Sequence, residues 1–214
     1  MIGVVAVRNA RTVSKALADL GQRLYARGWV LGTSGNFSAV VNRQPLRLAI
    51  TPSMAHKGKL NSGDLLEIDD QGQSTPAHPG RPSAETLLHL EIVKRRGAGA
   101  VLHTHSVWST ILSDQHADAH GLAIEGYEML KGLDGVITHE RQEWVPIVAN
   151  DQDMPRLARD TARVLAEFPA THAFLIRRHG LYTWGRTLAD AERHVEILEF
   201  LFEALGRSGQ RPQA

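Results

Sequence analysis

The sequence predicts an α/β fold in which helices flank a block of short strands. Segments 11–27 and 187–205 repeat apolar residues every three or four positions, as one face of an amphipathic helix does. Between them lie short apolar runs separated by turn-forming residues, several close enough along the chain to pair as hairpins. The sheet is therefore expected to be at least partly antiparallel.

The first half of the chain predicts two helices separated by strands and a loop. Gly28 ends the first helix, and the turn-rich segment 71–83 predicts a surface loop. Ser83 is expected to cap a second helix that runs to about Arg96, with Glu85 in its first turn. Short strands are predicted at positions 37–41, 46–52 and 64–69.

The second half repeats this pattern with longer helices. Asp153 is expected to cap a helix over 154–168, and Pro155 suits the first turn because its missing N–H has no partner there. A short helix is predicted at 107–115. Strands are predicted at 98–106, 135–139 and 143–149, and two more lie within 172–185.

Composition favours one soluble domain over 1–214, with a core at about 10–205 and a frayed tail at 206–214. Lys and Arg number 24 against 23 Asp and Glu, so nucleic acid is not expected as a partner. No signal peptide or apolar run long enough to span a membrane is seen, so a cytoplasmic location without membrane contact is expected.

The segment "AVLHTHSVWS" places His103 and His105 two positions apart in an apolar strand. Alternate side chains of a strand share one face, so both imidazoles can reach one point while Thr104 points away. The chain has no cysteine, so a metal would be held by histidine and carboxylate, and zinc commonly takes three such ligands. The pair therefore predicts a metal site whose third ligand comes from elsewhere.

His179 is the best candidate for that third ligand. It ends the apolar strand in "LIRRHGLY", beside Gly180, where the chain can approach another strand closely. A buried histidine with a purely structural role is an equally good interpretation of this position taken alone. The other eight histidines are expected mostly at the surface: His56, His78, His89, His116, His120, His139, His172 and His194.

Three segments could bind an anion such as phosphate. "GTSGNFS" offers backbone N–H groups with Asn36, "TPSMAHKGK" offers Ser53 and Lys57, and Ser83 lies at a predicted helix N-terminus. A glycine-rich turn without a ligand is the commoner interpretation of the first segment alone. The three together favour a phosphate.

Glu128 stands among apolar residues in "YEMLKGL". Burial there would raise the pKa of its carboxyl and make it a general acid or base near neutral pH. An exposed carboxylate on a short amphipathic helix is the simpler interpretation, and composition alone favours it.

The order of "GTSGNFS", "ITPSM", "PSAETLLH", "GAGAVLHTHS" and "RRHGLYTWG" resembles the class II aldolase family over about 21–205. That family contains zinc-dependent enzymes acting on sugar phosphates. The resemblance implies a three-layer α/β/α fold with a central, largely antiparallel sheet. It also implies a homotetramer with active sites near subunit contacts.

The resemblance also assigns roles to individual residues. His103, His105 and His179 match the zinc ligands, which implies one Zn²⁺ per subunit. Glu85 matches the carboxylate that ligates zinc and moves protons in the aldolases of the family.

The resemblance further implies a phosphate site. Asn36, Ser53 and Ser83 match the positions that contact phosphate, but a second serine of the aldolases is Ala84 here. Lys57 is expected to supply the missing donor.

Among members of the family, "YEMLKGL" and "ITHERQEWVPIVAND" look most like enzymes that remove water from a ketose phosphate. Glu128 then matches the acid/base, and whether it or Glu85 takes the C3 proton is left open. An aldolase or epimerase is the alternative, although aldolases often borrow a tyrosine from a neighbour's C-terminal segment and none follows Leu205 here. A non-catalytic adducin-head-like domain is a third hypothesis, which the complete ligand set disfavours.

Overall fold

The computed structural model describes residues 10–209. Within this range lie five α-helices and eight strands. The helices are α1 Ala10–Ala26, α2 Thr86–Arg96, α3 Val107–Gln115, α4 Met154–Glu167 and α5 Leu188–Gly209. The strands are β1 Asn36–Arg43, β2 Leu46–Ile50, β3 Leu66–Ile68, β4 Ala100–Thr104, β5 Gly121–Ile124, β6 Glu143–Val148, β7 Ala173–Ile176 and β8 Gly180–Gly185.

The strands form one sheet in the order β3-β2-β1-β4-β8-β7-β6-β5. Every neighbouring pair is antiparallel except β6 and β7. Strand β4 lies between β1 and β8 and is buried along its whole length. The central position of β4 places its end, with His103, deep in the molecule.

Helices cover both faces of the sheet. On one face α2 and α4 pack over a cluster that includes Leu88, Leu157 and Tyr182. On the other face α1 and the start of α5 pack over Phe37, while α3 and the rest of α5 pack over Leu181. Adjacent strand residues such as Leu181 and Tyr182 face opposite layers, as the two-residue period of a strand requires. The predicted three-layer α/β/α architecture with a largely antiparallel sheet is confirmed.

Several local predictions are confirmed by the helix ends. Asp153 caps α4 by accepting a hydrogen bond from the backbone N–H of Arg156 at 2.9 Å, and Pro155 lies in the first turn. Gly28 follows α1 with a φ of 77°, a conformation that glycine adopts at little cost. None of the helices within residues 10–209 is long and apolar enough to cross a membrane.

In the middle of the chain one predicted strand is wrong and one strand was not predicted. Segment 135–139 forms no strand: Gly135 has a φ of 73° and Ile137 is 87% exposed. The strand that pairs antiparallel with β6 is β5, which was not predicted. β5 is only four residues long and begins with a glycine, so neither its length nor its composition distinguished it from a loop.

Two boundaries also differ from prediction. Helix α2 begins at Thr86, so its N-cap is Glu85, which was predicted in the first turn, and not Ser83 as predicted. Ser83 lies two residues before the N-cap and accepts a hydrogen bond from the Glu85 backbone N–H. Helix α5 continues to Gly209, through part of the predicted tail, and Gly206 in its last turn lies against the ring of Trp108. Positions 1–9 and 210–214 lie outside the described residues.

Candidate metal centre

The candidate metal centre forms where β4 ends. His103 is fully buried, and its Nε2 lies 2.8 Å from Nε2 of His105, which follows the strand by one residue. The intervening Thr104 points to the opposite face, where its hydroxyl donates to Glu199. The alternation expected from the sequence therefore brings the two imidazoles together.

His179 reaches the same point from the turn between β7 and β8. Its Nε2 lies 3.3 Å from Nε2 of His103, and one ligand atom from each of the three histidines lies within 4.8 Å of the others. Gly180 makes this approach possible: a Cβ at that position would lie 2.0 Å from the carbonyl oxygen of Thr104. A side chain there would push the turn that carries His179 away from β4.

The ring of His103 is oriented by two neighbours. Its Nδ1–H donates to the carbonyl oxygen of Leu181 at 2.8 Å, and its ring stacks on Tyr182 with centroids 4.0 Å apart. In a neutral imidazole this leaves the Nε2 lone pair for a metal. The arrangement is that of a metal ligand held in one tautomer.

Burial keeps the three imidazoles neutral. It lowers the pKa of His103 well below its usual value and that of His105 to about 2, with the neighbouring imidazoles adding to the effect. Burial also lowers the pKa of His179, against the opposing charge of Glu85. Neutral imidazoles whose nitrogens converge without thiolate suit zinc and other first-row divalent ions. The residues present therefore fit a metal.

Glu85 completes the cluster from the N-terminus of α2. Its Oε1 lies 3.3 Å from Nε2 of His179 and its Oε2 3.5 Å from Nε2 of His103. The side chain is 13% exposed, so the carboxylate is largely shielded but can still be reached from the adjoining cavity. This position allows the carboxylate either to ligate a metal or to exchange protons with a bound molecule.

A buried chain of hydrogen bonds supports Glu85. Asn36 Nδ2 donates to Glu85 Oε2 at 2.5 Å, and Asn36 Oδ1 is in hydrogen-bond contact with His89 Nε2. His89 Nδ1 in turn lies 2.8 Å from the hydroxyl of Ser38. Burial lowers the pKa of His89 to about 4, so its ring is neutral and can donate at one nitrogen while accepting at the other.

These hydrogen bonds change the interpretation of two residues, His89 and Asn36. His89 was expected at the surface but is fully buried. His172 and His194, expected at the surface as well, are nearly fully buried. The sequence signal available for His89 was its position four residues after Glu85, which places both on one face of the helix predicted to begin after Ser83. Asn36, expected to bind phosphate, already uses its amide oxygen and one amide N–H within the protein.

A cavity of about 270 Å³ borders the cluster. Its lining includes all four residues predicted to bind phosphate: Asn36, Ser53, Lys57 and Ser83. It also includes Thr33 and Ser34 of the glycine-rich turn, and Gln152 and Met154 before and at the start of α4. Gln152 and Met154 were not predicted, because neither belongs to a motif and both lie more than 20 positions from every predicted site residue.

Lys57 lies buried beside this cavity. Its ammonium donates to the carbonyl oxygens of Thr33 at 3.0 Å and Ala55 at 2.8 Å, which leaves one N–H for another acceptor. Burial lowers the pKa of Lys57 to about 8, although the charge of Glu85 opposes this shift. At neutral pH the lysine is therefore a cation near the predicted phosphate site.

Glu128 lies apart from this cavity. It is 72% exposed on a short 3₁₀ helix, where Lys131 Nζ lies 2.6 Å from its Oε1, and it does not line the cavity. The hydrogen bond and charge of Lys131 lower the pKa of Glu128. The exposed carboxylate that composition favoured is therefore what the single chain shows, and the alternative of a buried carboxyl with a raised pKa is not found there.

Comparison with known proteins defines the class to which this fold and site belong. The chain belongs to the Class II Aldolase and Adducin N-terminal domain family, whose model matches residues 15–205. The resemblance inferred from the five motifs is thereby confirmed.

Two curated relatives with one shared name are similar to this chain over most of its length. The chain is 47% identical to a methylthioribulose-1-phosphate dehydratase of Marinobacter nauticus, with 92% of this chain and 94% of the relative covered. It is 46% identical to an enzyme of the same name from Methylococcus capsulatus, with 90% and 92% covered.

Solved structures of the family share the fold. L-fuculose-1-phosphate aldolase from Thermus thermophilus is similar with a TM-score of 0.70 and 26% identity, covering 91% of this chain and 94% of that one. YgbL from Escherichia coli is similar with a TM-score of 0.78 and 26% identity, covering 95% and 92%.

Proposed function

We propose that the chain removes water from 5-methylthioribulose 1-phosphate and yields 2,3-diketo-5-methylthiopentyl 1-phosphate, a step of methionine salvage. The single observation that carries the proposal is the convergence of three neutral imidazoles with the Glu85 carboxylate beside a cavity. The name shared by the curated relatives supports this substrate.

His103, His105 and His179 would hold one Zn²⁺. When bound there, the ion would polarise the C2 carbonyl of the substrate and offset the negative charge that develops as C3 loses its proton. The substrate phosphate lies against Ser53, Ser83 and the free N–H of Lys57 in the cavity. Asn36 serves mainly to hold Glu85, which is a revision of its predicted role.

Proton transfer is divided between two carboxylates. Glu85 takes the proton from C3, and a C3–C4 double bond forms as the bond from C4 to its hydroxyl breaks. Glu128 gives that hydroxyl a proton, because hydroxide is a poor leaving group, and water departs. The enol then gains a proton at C4 and loses one from its 3-hydroxyl, which gives the diketone.

Glu128 reaches the site of a neighbouring copy of the chain in this proposal. It is exposed and absent from the cavity of its own chain, and the family resemblance implies a homotetramer with sites near subunit contacts. Contact with a neighbour would remove Glu128 from water and raise its pKa, which a proton donor at neutral pH requires.

Mixed assemblies test this arrangement. The variants Glu128→Gln and His103→Ala are each expected to be inactive, but co-expression should restore part of the activity. A His103→Ala chain would supply Glu128 to the intact histidines of a Glu128→Gln chain. Restored activity in the purified mixed assembly is the expected result, and an inactive mixture containing both chains would show that Glu128 does not act across a contact.

Product analysis tests the reaction itself. The zinc-loaded protein is incubated with 5-methylthioribulose 1-phosphate, and the mixture is followed by mass spectrometry. A product lighter by one water is expected. The alternative is an aldolase or epimerase, which the likeness to L-fuculose-1-phosphate aldolase supports. An aldolase would release an aldehyde fragment, and an epimerase would give a product of unchanged mass.

A further inference from the structure

A second cavity lies at the other end of the central strands from the metal centre. In the register of β4 and β8, Thr104 pairs with Leu181 near the histidines, and Ala100 pairs with Gly185 at the far end. Gly180 and Gly185, the first and last residues of β8, lie five positions apart, a distance of roughly 16 Å. The cavity has a volume of about 330 Å³ and is lined by Gly185, so it is separate from the metal centre.

Three arginines line this cavity: Arg96, Arg141 and Arg186. The one carboxylate among its lining residues is Asp134. We call this cavity the arginine pocket.

The charge of Asp134 does not neutralise the arginine pocket. Arg193, which lies outside the lining, donates from Nη2 to Asp134 Oδ1 at 2.6 Å. Arg186 Nε is 3.8 Å from Asp134 Oδ2, too far for a hydrogen bond, and the Arg186 side chain is largely exposed. Positive charge therefore remains in excess at the pocket.

The guanidinium groups also keep unused donors. Arg96 donates to the carbonyl oxygens of Phe168 and Pro169, while its buried Nε has no partner among residues 10–209. Within the same range, Arg141 makes one long hydrogen bond of 3.5 Å, to the carbonyl oxygen of Ala170. Carbonyl partners hold these side chains in place without cancelling their charge, and each guanidinium has five N–H donors.

A rigid wall backs the pocket. His172 Nδ1 lies 3.0 Å from Oε2 of the buried Glu143, and its Nε2 lies 2.8 Å from the backbone oxygen of Asp134. The Arg96 guanidinium lies over the ring of Trp184, 5.4 Å from its centroid. A bound anion would therefore meet Arg96 and this wall already held in position, which reduces the entropic cost of binding, while the exposed Arg186 would become ordered on binding.

We propose that the arginine pocket binds the phosphate group of a small phosphate monoester, at a site distinct from the metal centre. Guanidinium groups bind phosphate oxygens through paired, charge-assisted hydrogen bonds, and three of them match a group with several acceptor oxygens. The pocket volume is in the range of small-molecule sites. The proposal does not depend on the reaction catalysed at the histidines.

Calorimetric titration of the full, zinc-loaded chain tests this site. The parent variant, Ser53→Ala/Ser83→Ala, should weaken the proposed phosphate site near the histidines. Inorganic phosphate that still binds to this variant is expected to occupy the arginine pocket. Adding Arg141→Ala and Arg186→Ala should then weaken phosphate binding at least tenfold. Glycerol 3-phosphate, titrated in parallel, distinguishes a monoester site from one for free phosphate, and tighter binding of the ester is expected.

A matched control removes two charges elsewhere. Arg163 and Arg207 each pair with an acidic residue of their own helix, Asp160 and Glu203, so replacing both with alanine lowers the net charge equally. The control should bind phosphate as its parent does. The proposal is overturned if the parent shows no phosphate binding, if glycerol 3-phosphate binds no tighter than phosphate, or if both arginine variants weaken binding alike.

Discussion

At the scale of single residues, the site depends on how each side chain is oriented by a neighbour. The carbonyl of Leu181 fixes the ring of His103, and Asn36 fixes the carboxylate of Glu85. Side chains around metal ligands often matter nearly as much as the ligands themselves. His89 belongs to this group because it supports Asn36 from a fully buried position.

Replacement of His89 tests the role of this chain of hydrogen bonds. His89→Leu should keep its zinc but lower kcat by about 10- to 100-fold, because Asn36 loses the partner that orients it toward Glu85. KM should change little, since His89 does not line the cavity. His89→Gln, whose amide can still donate to Asn36, should recover part of kcat; equal kcat values for the leucine variant and the wild type would contradict this role.

At the scale of elements, the sequence predicted what depends on local periodicity. The five helices follow their apolar spacing and caps, as Asp153 shows for α4. The short strand β5 was missed, and 135–139 was wrongly predicted, because pairing with β6 decides which short segment becomes a strand. The contact between His179 and His103 joins positions 76 residues apart, so spacing could suggest it but not establish it.

The close approach of β4 and β8 makes Gly180 essential to the metal centre. Gly180→Ala should lower the free energy of unfolding by roughly 1–3 kcal/mol, as overpacking does, and weaken zinc binding by displacing His179. Urea unfolding and zinc titration measure the two effects. Gly63→Ala, at a position with no atom near the new Cβ, is the control, and two variants of equal stability and zinc affinity would refute the argument.

Helix α5 contributes a buried carboxyl whose protonation should affect stability. Burial raises the pKa of Glu199 to about 7, although hydrogen bonds from Ser106 and Thr104 oppose the shift. The raised pKa means that the protonated form is favoured on folding. Its stabilising contribution is complete below about pH 4.5, the unfolded value, and is lost as the pH rises through 7.

Glu199→Gln should remove this dependence. Between pH 4.5 and 8 the wild type should lose about 3 kcal/mol of unfolding free energy relative to the glutamine variant, the equivalent of the pKa shift. Urea unfolding of the metal-free chains at several pH values measures the difference. Glu203→Gln, an exposed change on the same helix, serves as control; parallel curves for wild type and Glu199→Gln would contradict the prediction.

At the scale of the whole molecule, the chain provides a candidate metal centre and a cavity but not all the groups that the proposed reaction needs. The histidines and Glu85 come together within one chain, as the motifs predicted. Glu128 does not join them within one chain, and its role across a contact with a neighbouring copy stays a proposal. Homotetrameric assembly and a cytoplasmic location stay predictions.

The most direct test of the proposed function is whether loss of water from the substrate depends on a metal held by the three histidines. The wild type is stripped of metal with a chelator and titrated with Zn²⁺ in the presence of 5-methylthioribulose 1-phosphate, beside His103→Ala and the exposed control His78→Ala. One Zn²⁺ per chain is expected to restore formation of the dehydrated product in the wild type and the control, while His103→Ala should bind no zinc and form no product. Water loss by the stripped wild type, or by His103→Ala, would contradict the proposed role of the metal.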